Sequence, residues 1–262
     1  MSASLSSHSY SQIADVLRAA GCVYAEEEAR LLVDVAPTET DLADMVRRRA
    51  AGQPLEHVVG WAEFCGLRIV VDPAVFVPRR RSEFLVRQAA RLPRPGPVVV
   101  DLCCGTGALG VALAAAGGPV ELHAADVDPA AVRCARRNVA AVGGRVYQGD
   151  LFGPLPAALR GSVALLLANV PYVPTGQVGL LPPEARDHEA RLALDGGPDG
   201  LNVLRRVTAA APEWLAPGGH LLFEASDRQL APAVAAVTRA GLRTQVARCA
   251  ELTATVIIAT RP

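Results

Sequence analysis

An α/β fold built on a mostly parallel sheet is predicted by three observations. Aliphatic runs of strand length alternate with helix-patterned segments from Pro97 onward. Runs such as VVVDL and VALLLAN are apolar on both faces, as strands covered by helices on both sides must be. And 51% hydrophobic residues over 262 positions suffice to bury a core of that size.

The elements follow in order. Residues 1–57 read as small amphipathic helices: Ile13, Val16, Leu17 and Ala20 fall at helical spacing, and Leu42, Met45 and Val46 open the same pattern. Between them, AEEEARLLVDVA carries its acids early, where the helix dipole favours them. Residues 58–78 change to short β-rich runs broken by Gly66 and Pro73, a hairpin joining the helical part to a main domain over residues 79–262. There the strand candidates are VVVDL, VELHAAD, RVYQ, VALLLAN and HLLFEA. Helices are expected from about Gly107, from Pro129, near 200–215 and over about 228–240. The tail differs: LRTQVARC and ATVIIAT have only a short break between them, so they pair antiparallel at the end of the sheet.

Composition narrows the partners. The 26 basic residues, all arginine, balance 26 acidic ones, so no global field attracts nucleic acid or an anionic membrane. Six cysteines lack the paired spacing of a zinc site, no metal is expected, and reduced thiols in a cytoplasmic protein are the corresponding expectation. No apolar run reaches the length of a membrane helix.

VVVDLCCGTGALG contains G-x-G-x-x-G at Gly105, Gly107 and Gly110, with Asp126 about 20 residues later. A dinucleotide would bring an anionic pyrophosphate toward that helix N-terminus, where Asp101 would repel it. S-adenosylmethionine carries an ammonium and a sulfonium instead, and an acid there is favourable. Asp126 is placed to accept both ribose hydroxyls, and Asp150 in GDLF extends the same row of strand ends.

The stretch LLLANVPYVP then supplies an acceptor site. Asn169 ends a buried strand on the edge where ligands collect on such sheets. Its side-chain oxygen and the carbonyl of Val170 can accept the two hydrogens of a planar NH2. Pro171 restricts Val170 to extended geometry, and Tyr172 offers a flat face. Such an arrangement orients a nitrogen toward a methyl donor without a covalent intermediate.

With these residues in hand, the chain resembles the HemK/PrmC family of protein N5-glutamine methyltransferases, which modify peptide chain release factors. The resemblance lies in RRRAAGQPLEHVVGWAEFCGLRIVVDPAVFVPR, DLCCGTGALG, NVPY and RLALDGGPDGLNVLRRV. It implies a class I S-adenosylmethionine-dependent methyltransferase fold: Rossmann-like, a mostly parallel seven-stranded sheet with an antiparallel C-terminal strand, and a small N-terminal helical domain. It also implies a glutamine amide as acceptor, with a release factor as the protein partner. By position, Cys103, Cys104, Gly105, Thr106, Gly107, Asp126, Leu151 and Asn169 would touch the cofactor, and Asn169, Val170, Pro171 and Tyr172 would hold the glutamine. The chain departs from the family at Val170, where a proline is usual. It departs again at Arg80 and Arg81, in place of a proline and an acid, and at Cys103 and Cys104, in place of glycine and threonine. Its N-terminal helical part is shorter.

Three rival readings share these residues. An adenine N6-methyltransferase would hold a flipped base amine with the same two acceptors, though zero net charge and no basic domain weigh against it. A binding protein that has lost turnover is the second, suggested by Val170 and the 80–81 pair. A nicotinamide dehydrogenase is the third, disfavoured by Asp101.

Overall fold

The structure, a computed structural model, describes residues 7–262. Four helices open it: α1 (Ser7–Ala19), α2 (Ala25–Val35), α3 (Glu39–Ala50) and α4 (Leu55–Val59). Their apolar faces meet in a core of their own around Leu17, Ala29, Leu32, Leu42 and Val58. Thr38 starts α3, its side-chain oxygen accepting the Asp41 N–H and so satisfying one of the helix's free donors. Buried Arg49 on α3 donates to Glu28 on α2 and to Glu184 far along the chain, tying these helices to the main domain.

The hairpin of β1 (Trp61–Phe64) and β2 (Leu67–Val70) turns through Cys65 and Gly66, both at positive φ, as a two-residue hairpin turn demands. Asn138 anchors it: its side chain accepts the Val70 N–H at 2.9 Å and donates to the Val70 and Thr106 carbonyls, each also at 2.9 Å. One buried amide thus joins the hairpin to the glycine loop.

The main domain runs α5 (Glu83–Arg91), β3 (Val98–Leu102), α6 (Ala108–Ala115), β4 (Glu121–Asp126), α7 (Pro129–Ala140), β5 (Arg145–Gln148) and β6 (Val163–Ala168). It continues with the short helices α8 (Pro183–His188) and α9 (Arg191–Leu194), then α10 (Asn202–Trp214), β7 (Leu215–Glu224), α11 (Asp227–Arg239), β8 (Arg243–Cys249) and β9 (Ala254–Thr260). The sheet order is β5-β4-β3-β6-β7-β9-β8, with β9 antiparallel to both of its neighbours and the other pairings parallel. The predicted seven-stranded, mostly parallel sheet is therefore present.

Side chains on β6 go alternately to two cores. Leu165 and Leu167 pack with α5, α6 and α7, while Leu166 and Ala168 pack with α10 and α11. All are fully buried, and each such leucine contributes about 1.5–3 kcal/mol. Gly110 permits a close approach on the first face, because a Cβ there would lie 2.6 Å from a Leu122 methyl. Three elements were not anticipated. α5 has no side-chain N-cap bond to announce it, and α8 and α9 are too short to show a period. β7 also begins earlier than expected, since LAPGG continues the strand.

Register fixes where ligands go. β3 and β6 are neighbours although β4 and β5 lie between them in sequence, so the order reverses there. Ala168 lies opposite Leu102 on β3 and Phe223 on β7, so Cys103 and Asn169 leave the sheet at one level. A crevice opens at such a reversal.

Candidate active site

The crevice is a cavity of about 90 Å³. Its walls are the turn Cys103–Thr106, the end of β4 at Asp126, and the segment Asn169–Val173. Three predicted groups, far apart in sequence, are thereby brought together.

The glycine loop and Asp126 hold each other. Asp126 accepts the Gly105 N–H at 2.8 Å through Oδ2 and the Asp128 N–H at 2.9 Å through Oδ1. Burial pushes its carboxyl above the usual range, while these N–H groups pull it back. Each oxygen keeps a further lone pair for a hydroxyl donor. A Cβ built on Gly105 meets no protein atom within 4 Å, so the space beside this glycine is open. Cys103, by contrast, holds φ of 53°, a left-handed conformation costing a non-glycine residue roughly 1–2 kcal/mol. Burial pushes its thiol well up, so it stays protonated and inert at neutral pH.

Asn169 is half-buried, and among the described residues its side chain makes no hydrogen bond. The Val170 carbonyl likewise accepts no backbone N–H there. The Val170 side chain sinks into the core beside Phe223, which accounts for an aliphatic residue at this position. The carbonyl of Tyr172 accepts Gln229 Nε2 at 2.8 Å, and its hydroxyl accepts from Arg81 Nη2. Gly200, at φ 76°, lies so close that a Cβ would be 2.1 Å from the Tyr172 oxygen. Burial raises the phenol pKa, so the ring stays neutral.

Four of the predicted residues lie away from the cavity wall. Asp101 is fully buried and lines no part of the cavity. Its Oδ2 accepts the Gly110 N–H at 2.9 Å, and its Oδ1 has no partner. Burial pushes its pKa up to about 8, and the Gly110 N–H pulls it part of the way back. Asp150 turns outward to pair with Arg206, and Leu151 packs against the core on the α10 face. Neither reaches the cavity wall. Gly107 faces α7 instead, where its Cβ would strike Val139.

The raised value at Asp101 has a measurable consequence. An aspartate in the unfolded chain titrates near 3.9, so the neutral form favours the fold. That contribution is complete below about pH 4 and is lost as pH rises through about 8. Asp101→Asn, always neutral, is expected to raise the unfolding free energy at pH 8 by about 1 kcal/mol or more and to leave it unchanged at pH 4. Urea midpoints at the two pH values measure this.

No local sequence pattern announces the roof. Ala190, Leu192 and Leu194 close the cavity from above, and Phe76 and Pro78 close it from the hairpin side. A single carboxylate joins the two: Glu189, fully buried, accepts from Val77 N at 3.1 Å and from Arg79 at 2.6 and 2.7 Å. The exposed Leu192 marks the opposite rim.

A parallel sheet with its reversal beside a glycine turn, an acid one strand over and a tail strand running antiparallel defines a class I methyltransferase. The fold resembles the crystal structure of a methyltransferase from Pyrococcus furiosus, with a TM-score of 0.56 at 18% identity, covering 75% of this chain and 89% of that one. The family model described as Methyltransferase small domain matches residues 66–179. A release factor glutamine methyltransferase of Geobacter sulfurreducens is 39% identical over 199 residues, 75% of this chain and 69% of that protein. A 4-amino-L-phenylalanine/4-methylamino-L-phenylalanine methyltransferase of Streptomyces pristinaespiralis is 42% identical over 193 residues, 71% of this chain and 65% of that protein. The chain belongs to the release factor glutamine methyltransferase family.

No helix of the described residues is long and apolar enough to cross a membrane.

Proposed function

We propose that this chain methylates the side-chain amide nitrogen of a glutamine in a peptide chain release factor. The observation that carries the reading is the pair of free acceptors, Asn169 Oδ1 and the Val170 carbonyl, on the wall shared with Gly105 and Asp126. S-adenosylmethionine, when bound, supplies an electrophilic methyl group. Its adenosine suits the open space beside Gly105 and the spare lone pairs of Asp126. Cys103–Thr106 would line its path, and Asn169 stands where cofactor and acceptor meet.

The work of this chain is positioning. An amide nitrogen is a poor nucleophile because its lone pair is delocalised into the carbonyl. Two acceptors gripping both N–H bonds fix the NH2 plane and hold the nitrogen about 3–3.5 Å from the carbon it attacks. As the nitrogen becomes tetrahedral and positive, its N–H groups become stronger donors and those two bonds tighten, so stabilisation is greatest in the transition state. Tyr172 and the apolar side chains of the roof line the same cavity, so few polar groups there would hold water in competition for the two acceptors.

Labelled S-adenosylmethionine offered with a release factor, its glutamine-substituted variant and duplex DNA tests this. Label is expected on the unsubstituted protein only. Label on DNA that falls steeply with salt would support the adenine rival instead.

The Streptomyces relative supports a second acceptor of the same shape. An arylamine, like a carboxamide, presents a flat NH2, and the two free acceptors do not distinguish them.

A further inference from the structure

A second cavity of about 160 Å³ lies behind Tyr172, lined by Arg81, Glu224, Ser226, Thr253 and Thr255 as well as by Tyr172 itself. Glu224 ends β7, and its side chain is only 9% exposed. Its Oε2 accepts from Arg81 Nε at 3.2 Å, while its Oε1 is buried without any partner. Arg81 also donates to the Tyr172 hydroxyl through Nη2, and its Nη1 makes no bond among the described residues. A buried carboxylate oxygen left unpaired is costly, and its presence beside a half-free guanidinium calls for a ligand.

We propose that this cavity is the head-group subsite for a free α-amino acid whose side chain ends in a planar NH2, making such a molecule an additional methyl acceptor. The proposal rests on the acceptor role of Asn169 and Val170. Charge selects the head group. Arg81 and Glu224 sum to zero, so a lone anion would face Glu224 and a lone cation would face Arg81. A zwitterion satisfies both: its carboxylate takes the free guanidinium edge of Arg81, and its ammonium takes Glu224 Oε1. The hydroxyls of Thr253, Thr255 and Ser226 lie on the same walls to receive the remaining donors and acceptors. Tyr172 lines both cavities, so a side chain leaving the head group passes along it and brings its terminal nitrogen toward Asn169. In the transfer, the lone pair of that nitrogen forms the new N–C bond as the sulfonium C–S bond breaks. The electron pair stays on sulfur, giving the thioether, and one proton passes from nitrogen to water.

The full chain is titrated calorimetrically with L-glutamine and with 4-amino-L-phenylalanine, each free and each blocked as its N-acetyl methylamide. At least one free compound is expected to bind tenfold or more tightly than its blocked form. In Glu224→Gln and in Arg81→Met that ratio is expected to fall toward one. Arg81→Met reads the same ratio should the other variant fail to fold. Equal affinities for free and blocked forms, or a ratio that survives substitution, overturn the subsite. Methyl transfer to a release factor is assayed in parallel to separate the two claims. Label on the release factor with no binding of either free amino acid removes this proposal alone. Binding with the expected ratios, but no label on any acceptor, removes the acceptor reading and leaves the head-group subsite.

Discussion

Asn169→Ala is expected to lower kcat by roughly 10²- to 10³-fold while the protein stays folded. The size follows from what one preorganised hydrogen-bonding group contributes when it is aimed at charge that develops only in the transition state, about 2.7–4 kcal/mol. Its side chain bonds to nothing else among the described residues, so truncation leaves no protein donor or acceptor stranded. The fold should not notice. β6 before it is buried and paired on both sides, and the loop after it is held by Gln229 and the close approach at Gly200. Steady-state kinetics with saturating acceptor, alongside thermal unfolding, separates the two effects. A variant that turned over at the parent rate would remove the two-acceptor mechanism even with the family membership intact.

Asp126→Ala carries the second large effect, on cofactor binding rather than chemistry. Two charge-assisted hydrogen bonds to ribose hydroxyls contribute about 1.5–3 kcal/mol each. At about 1.4 kcal/mol per tenfold, their loss weakens S-adenosylmethionine by about two powers of ten or more. The same carboxylate also anchors the Gly105 N–H, so the loop loosens as the hydroxyls lose their partner. Because the ribose is common to reagent and product, S-adenosylhomocysteine should weaken by the same factor in a calorimetric titration. A loss confined to the sulfonium form would mean that Asp126 acts through charge on the methionine end and that the ribose contact is wrongly placed.

Much of this site is legible in the sequence, and the parts that are not share a cause. Uninterrupted aliphatic runs announce β3 and β6, and strands of a parallel sheet put their last residues on one edge, so Cys103, Asp126 and Asn169 could be brought together from spacing alone. Glu189, Asn138 and Phe76 could not. The bonds of Glu189 and Asn138 span 112 and 68 residues, and no local pattern distinguishes a clasping acid or amide from a solvated one. Asp101 is a different case. The sequence reports its charge type and strand position, but its protonation is set by complete burial beneath α6. Asp150 resembled Asp126 in position and differs because Arg206 draws it to the surface.

The Glu189 clasp also constrains traffic. Lifting the near end of the roof would strip a buried anion of three N–H donors at once, a penalty a thermal fluctuation seldom meets. The far end is held as well: the Leu194 carbonyl accepts the Val173 N–H at 3.0 Å and Asp195 accepts the Thr175 hydroxyl at 2.6 Å, while Leu192 between the two anchorages lies half in solvent. Clamped on both sides, the roof offers Leu192 as its least held side chain, so a change of rotamer there widens the rim without breaking either anchorage.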